Sequence, residues 1–204
     1  MFDWCRFCCA LSRIGCYKCC HKAALSRPEF TVVALGLSNA GKSTLLSILA
    51  NEELQDDCVP TQGFSIKVLQ FPDAILNVME LGGAVEQYWC HYYCGAEGIV
   101  FVIDSSDNRH LEQAAECLSR LLNHPILSGL PLLILANKQD VANAKDANEI
   151  KDILSLDKIA DDNDYIIYCC SSQDVNSIRE GFVDLIHKLK RESPNTLTMP
   201  YIEN

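Results

Sequence analysis

At 204 residues the chain is long enough for one domain with a full core and short for two. An apolar share of 49% argues against a disordered chain, and no apolar run reaches the ~18 residues of a membrane span. The formal charge of −10 argues against nucleic acid as a partner.

Residues 1–27 differ from the rest. They carry Arg6, Arg13, Lys18, Lys22 and Arg27 against Asp3, a net of +4, which leaves −14 on the remainder. A short basic tail on an acidic body suits an anionic membrane surface. The tail has no uninterrupted apolar core of a signal peptide, so an intracellular protein is expected. Cys5, Cys8 and Cys9 repeat eleven residues later as Cys16, Cys19 and Cys20. On a helix all six fall within an arc of about 120°. Flanking basic residues and Phe2, Trp4 and Phe7 make this read as an S-palmitoylated anchor, for which two acyl chains already suffice. Zinc is the rival reading, since C-x₂-C pairs with His21 nearby have ligand spacing, although only seven residues separate them. The expected location is the cytoplasmic face of a membrane, either an endomembrane such as the Golgi or the plasma membrane.

The body is expected over 28–192, with 193–204 (Pro194, Pro200) as a flexible end. "FTVVALG" (30–36) predicts a buried strand and 42–50 a helix. "FSIKVLQF" (64–71) and "AILNVME" (74–80) flank Pro72-Asp73 and predict a hairpin. Strands follow at 98–104, 131–137 and 165–169, and helices at 108–123, 146–154 and 175–190. Unbroken Val/Ile/Leu strands alternating with helices imply an α/β fold, a mostly parallel six-stranded sheet covered on both faces, with one antiparallel edge hairpin.

Two motifs sit at strand ends. "GLSNAGKS" (36–43) fits G-x-x-x-x-G-K-[ST] between a strand and a helix. Backbone N–H groups of Gly36, Ser38, Asn39, Ala40 and Gly41 would turn toward phosphates, together with Thr44 at the helix start. Lys42 supplies charge for the outer phosphates and Ser43 a hydroxyl for Mg²⁺. "NKQD" (137–140) follows a strand about ninety-five residues later. A carboxylate such as Asp140 accepts two hydrogen bonds from guanine, and adenine offers no matching donor pair. Asn137 would brace the loop, the Lys138 stem would cover the base, and Cys170 and Ser171 would present backbone N–H to the guanine oxygen.

"GLSNAGKST", "PTQGF", "ELGG", "YWCHYYCGAEGIVFVIDSSDNRHLEQA" and "LPLLILANKQD" together resemble the ARF-like branch of the P-loop small GTPases over residues 30–190. "TQGFSIKVLQFPDAILNVMELGGA" with a cysteine-rich tail resembles most closely its fifteen subgroup. The resemblance implies GTP or GDP as ligand with Mg²⁺. Thr61 matches the switch I threonine that completes metal coordination, and Gly83 the switch II glycine that meets the γ-phosphate. Residues 64–80 match the interswitch. It also implies an effector surface, assigned to Phe64, Ile66, Leu81, Tyr88 and Trp89, with Trp89 equally readable as core. Cyclin-M magnesium transport mediators are implied as a partner by resemblance alone. A myristoylated second-residue glycine is replaced by Phe2.

Three positions depart from that pattern. The switch II aspartate that holds Mg²⁺ through water is Glu80, the neighbouring tryptophan is Met79, and the glutamine that orients the attacking water is Ala84. An alanine methyl cannot hydrogen-bond water, so slow hydrolysis is expected. The alternative is a conventionally cycling enzyme whose partner supplies the missing group. Glu86 and Gln87 are the nearby side chains able to substitute.

Overall fold

A computed structural model describes residues 27–52, 61, 63–158 and 165–192. Six strands form one sheet: β1 (Glu29–Leu35), β2 (Phe64–Gln70), β3 (Ile75–Leu81), β4 (Gly98–Asp104), β5 (Leu132–Asn137) and β6 (Tyr165–Cys169). Their order across the sheet is β2-β3-β1-β4-β5-β6. Only the β2–β3 pairing is antiparallel. The helices are α1 (Lys42–Leu49), α2 (Leu111–Leu122), α3 (Ala147–Ile153) and α4 (Val175–Glu192).

The strand sequences explain the layering. Val32, Ala34, Val100, Val102, Leu133 and Leu135 point to one face and pack under α1 and α4. The alternate residues Val33, Leu35, Ile99, Phe101, Ile103 and Ile134 point to the other, under α2 and α3. Because both faces are covered, the central strands are apolar at every position rather than at every second one. In α4, Ile178, Phe182, Leu185 and Leu189 are buried at three- and four-residue steps, the spacing that keeps one helical stripe against the sheet. Asp146 and Glu149 form a reciprocal capping box that starts α3.

The hairpin turns at Pro72-Asp73, where the Phe71 N–H donates to the Ala74 carbonyl at 3.0 Å. Its outer strand β2 is a sheet edge whose alternate residues Phe64, Ile66 and Val68 face solvent. After β3 the chain runs through a 3₁₀ stretch, Gly83–Tyr92, kinked at Val85. The strand and helix positions match the periodicity of the sequence; the 3₁₀ stretch, in the segment quoted for its resemblance, has no periodic signal of its own. The six tail cysteines and residues 193–204 lie outside the described residues. Among the described residues no helix is long and apolar enough to cross a membrane.

Candidate functional site

Strands β1, β3, β4 and β5 deliver their carboxyl ends to one edge of the sheet, where the order switches sides around β1. Open α/β sheets bind ligands there. From β1 the chain enters the phosphate loop. Gly41 has φ 94°, and a Cβ on it would lie 2.2 Å from the Asn137 side-chain nitrogen, so both the left-handed turn and the close approach require glycine. The following helix α1 has no side-chain cap, which leaves its first N–H groups facing the loop. Lys42 is buried, and its Nζ donates to the carbonyls of Gly36 (2.8 Å) and Leu37 (2.9 Å). Burial pulls its ammonium down to about 8, opposed by the nearby Glu80 carboxylate.

The base end is joined to the phosphate end through Asn137. Its Nδ2 donates to the Ala40 carbonyl at 2.8 Å, and its buried Oδ1 has no hydrogen-bond partner. Lys138 adopts φ 64° and pairs with Asp104 at 2.6 Å. Burial pushes the Asp104 carboxyl up, but bonds from Lys138 and Ser106 outweigh it and hold the group below the usual range. Gln139 ties the loop down. Its N–H donates to the Cys170 carbonyl (3.1 Å), and its Nε2 to Ser105 Oγ and the Lys145 carbonyl (both 2.9 Å). The Cys170 N–H donates to the Ala136 carbonyl at 3.0 Å, so of the two N–H groups expected to meet the guanine oxygen, that of Cys170 is committed to the sheet instead. Cys170 and Ser171 are buried, and burial raises the Cys170 thiol to about 12. Asp140 is left exposed at the tip of this braced turn. The structure therefore brings Asn137, Lys138, Asp140, Cys170 and Ser171 together with Gly36–Thr44. Asp104 and Ser105, at the end of β4, and Gln139, inside NKQD but without an assigned role, are the supporting residues passed over; their place at strand ends is the signal that could have found them.

Thr61, Glu80 and Gly83 meet the start of α1 and the phosphate loop. Thr61 Oγ1 lies 3.0 Å from Ser43 Oγ and 3.1 Å from Glu80 Oε1, and Ser43 Oγ donates to the same carboxylate oxygen. Glu80 is 1% exposed. Two hydroxyls and one carboxylate oxygen in mutual contact are the oxygen donors that a hard cation takes. The donor set thus fits Mg²⁺. Glu80 was expected to lie one water away from it; here the carboxylate contacts both hydroxyls directly. Gly83 is pressed on the loop, since a Cβ there would sit 2.3 Å from the Ser38 nitrogen.

The effector assignment needs correction at two residues. Leu81 and Trp89 are each 1% exposed. Leu81 ends an interior strand and points into the core, and the Trp89 indole lies in the same cluster with its Nε1 donating to the Gly82 carbonyl at 2.9 Å. The exposed apolar surface is Phe64, Ile66 and Tyr88, joined by Val68, with Phe64 resting on the Tyr92 ring at 5.0 Å. Ala84 is exposed and lines an open hollow of about 530 Å³ with Gln87, Arg120 and His124. Glu86 lines the same hollow and is paired with Arg120 on α2 at 2.5 Å. That bond draws Glu86 toward α2, so it is not poised to orient water.

A phosphate-binding loop tied to a guanine-reading NKQD turn, with Thr61, Glu80 and Gly83 against it, defines a P-loop guanine-nucleotide-binding protein. The ADP-ribosylation factor family model matches residues 16–189, and the chain belongs to that family, as an ARF-like small GTPase. It is 41% identical over 184 residues to ADP-ribosylation factor-like protein 15 of Homo sapiens and of Mus musculus, covering 89% of this chain and 90% of each relative. Against ADP-ribosylation factor-like protein 3 of Chlamydomonas reinhardtii it is 35% identical, over 79% of this chain and 92% of that one. Among solved structures, the Arl6 BBS3 small GTPase of Trypanosoma brucei with bound nucleotide analogue GppNp superimposes with a TM-score of 0.73. It is 27% identical and covers 81% of this chain and 99% of that one.

Proposed function

We propose that this small GTPase is a guanine-nucleotide switch of slow intrinsic hydrolysis that acts as a GTP-dependent binding surface at a membrane. The observation that carries the reading is the contrast within the site. The phosphate loop, the NKQD turn and the Ser43–Thr61–Glu80 cluster are assembled, while the position that should orient water is Ala84 and the adjacent Glu86 is held by Arg120. Hydrolysis in this fold depends on positioning and charge stabilisation. The chain's own residues supply the second through Lys42 and the loop N–H groups; for the first, Glu86 is drawn to Arg120 and Gln87 is the amide left beside Ala84. A divalent ion held by Ser43, Thr61 and Glu80 would neutralise charge on the outer phosphates. Effector binding is assigned to the exposed strip Phe64, Ile66, Val68 and Tyr88, and membrane attachment to the cysteines of residues 1–20 through thioester-linked lipid.

A second reading is favoured by the hollow beside Ala84, which is wide enough to admit a partner's side chain. In that reading the partner orients the water and turnover is ordinary in its presence. Single-turnover GTP hydrolysis by the full chain, beside Ala84→Gln, tests the first reading. The variant should be faster by at least about tenfold, the increment of one ~1.4 kcal/mol interaction made only in the transition state. Ready hydrolysis by the wild type with no gain in the variant would sink it.

A further inference from the structure

Glu80 raises a question that the family pattern leaves open. Replacing aspartate by glutamate adds one methylene, a reach of about 1.5 Å. That is too long a side chain to leave room for an interposed water unless it folds aside. It does not fold aside: its backbone is held in the sheet between Ala34 of β1 and Ser65 of β2, the residue is 1% exposed, and its carboxylate reaches toward Ser43 and Thr61. One oxygen, Oε1, accepts from both Ser43 Oγ and Thr61 Oγ1.

We propose that Glu80 binds the divalent cation directly, as the anionic member of a three-oxygen face with Ser43 and Thr61, and displaces the water through which an aspartate would act. The contacts support direct binding. Thr61 Oγ1 is 3.0 Å from Ser43 Oγ and 3.1 Å from Glu80 Oε1, and Ser43 Oγ donates to that same oxygen, so the carboxylate reaches both hydroxyls with no water between. Mg²⁺ is ordinarily held by one or two carboxylates together with substrate phosphates, and it keeps several waters. Here Glu80 would provide the carboxylate and the bound nucleotide the phosphate oxygens. No covalent bond changes: one water leaves the ion and one carboxylate oxygen takes its place.

The consequence is a tighter coupling between β3 and the nucleotide. The Gly82 N–H, two residues on, donates to the Gly63 carbonyl at 2.8 Å, and the Gly82 carbonyl receives the Trp89 indole N–H. A metal ligand at Glu80 therefore sits two residues from the anchor of the 3₁₀ stretch, without a solvent molecule in between.

This inference rests on the guanine-nucleotide reading, so the test separates the two. The full chain is loaded with Mn²⁺ and a non-hydrolysable GTP analogue, and retention of the analogue is measured first. Failure to retain it overturns both readings. With the complex in hand, protein carrying ¹³C-labelled glutamate is studied by electron–nuclear double resonance at the Mn²⁺. The expected result is a strong ¹³C coupling that disappears in Glu80→Gln made with the same label. Absence of that coupling in the wild type overturns direct binding, whatever the variants do. Waters on the ion, counted by line broadening in ¹⁷O-water, should number one fewer in the wild type than in Glu80→Asp, and equal counts would also overturn it.

Discussion

The two halves of the site are built at the same sheet edge but differ in how far their chemistry survives. The recognition half, from the phosphate loop across Asn137 to Cys170 and Ser171, keeps every expected side chain and ties them in one network. The switch half keeps its backbone devices, Gly83 against the loop and Thr61 over Ser43, but has Glu80 and Ala84 where the family pattern has aspartate and glutamine. The difference separates holding a nucleotide from cleaving it. Holding requires donors fixed before the ligand arrives, and the scaffold fixes them. Cleavage requires one further group aimed at a water, and the position that the resemblance assigns to it is the methyl of Ala84.

The sharpest way to break the recognition half is Asp140. Its carboxylate is exposed on a turn that four other contacts hold rigid, so its removal should leave the fold intact. Asp140→Ala should erase most of a guanine-over-adenine preference of about 10⁴–10⁵, read by competition binding with guanine and adenine diphosphates. An unchanged preference would place the discrimination elsewhere.

The next effect belongs to the switch half and is structural. Trp89→Ala removes a fully buried indole and the hydrogen bond that holds Gly82, and should cost about 3–5 kcal/mol of stability in urea unfolding. A loss under ~1 kcal/mol would mean the 3₁₀ stretch is not anchored through the indole. Gly83→Ala would drive a Cβ into the phosphate-loop backbone at Leu37 and Ser38, so the loop or the 3₁₀ stretch must move. The variant should weaken a GTP analogue relative to GDP by about 10- to 100-fold, the equivalent of the 1–3 kcal/mol typical of overpacking. Equal loss for both nucleotides would show that the clash is felt in either state.

Legibility in the sequence follows the same division. The strands, the four helices and both loops are written in period and in motif, because continuous apolar runs and glycine-lysine spacing follow from local rules. The phosphate loop, Asn137 and Asp140 were therefore readable. What was not readable is set by long-range packing. Leu81 and Trp89 look like surface anchors in a segment otherwise rich in them, but they are interior because β3 is covered on both faces and the 3₁₀ stretch folds back onto it. Asp104 and Ser105 carry no motif, and Gln139 sits in NKQD without an assigned role, since their bonds exist only once β4 and β5 lie side by side. Glu86 looked free to serve as a substitute for the missing glutamine until α2 placed Arg120 beside it.

A smaller effect tests the electrostatics of the recognition half. Lys42 is pulled down to about 8 in the ligand-free protein by burial. Phosphates favour the charged ammonium, so binding raises its pKa and takes up a proton whenever the free site is deprotonated. Affinity for GDP should then be flat below pH 8 and fall as pH rises above 8, by up to tenfold per unit until the pKa of the bound state is reached. Titrations at pH 7, 8 and 9 check the sign; a flat profile through pH 9 would mean that the lysine stays charged in the free loop.

The smallest effect is expected where the exposed strip meets solvent, and it is the one that separates surface from core. Ile66 and Val68 stand on the outer strand with 58% and 51% of their surface open, on alternate positions of an edge that no described element covers. Burial cannot be what holds them there, because little is buried. Ile66→Ser and Val68→Ser should therefore each change stability by no more than about 0.5 kcal/mol and leave nucleotide affinity unaltered. The same urea titration that reads the large loss in Trp89→Ala reads this null effect. A loss above ~1.5 kcal/mol at Ile66 would mean that the strip is covered in the intact chain. The apolar surface would then belong to the molecule's own packing rather than to a partner, and the effector assignment would have to move to Tyr88 and its neighbours.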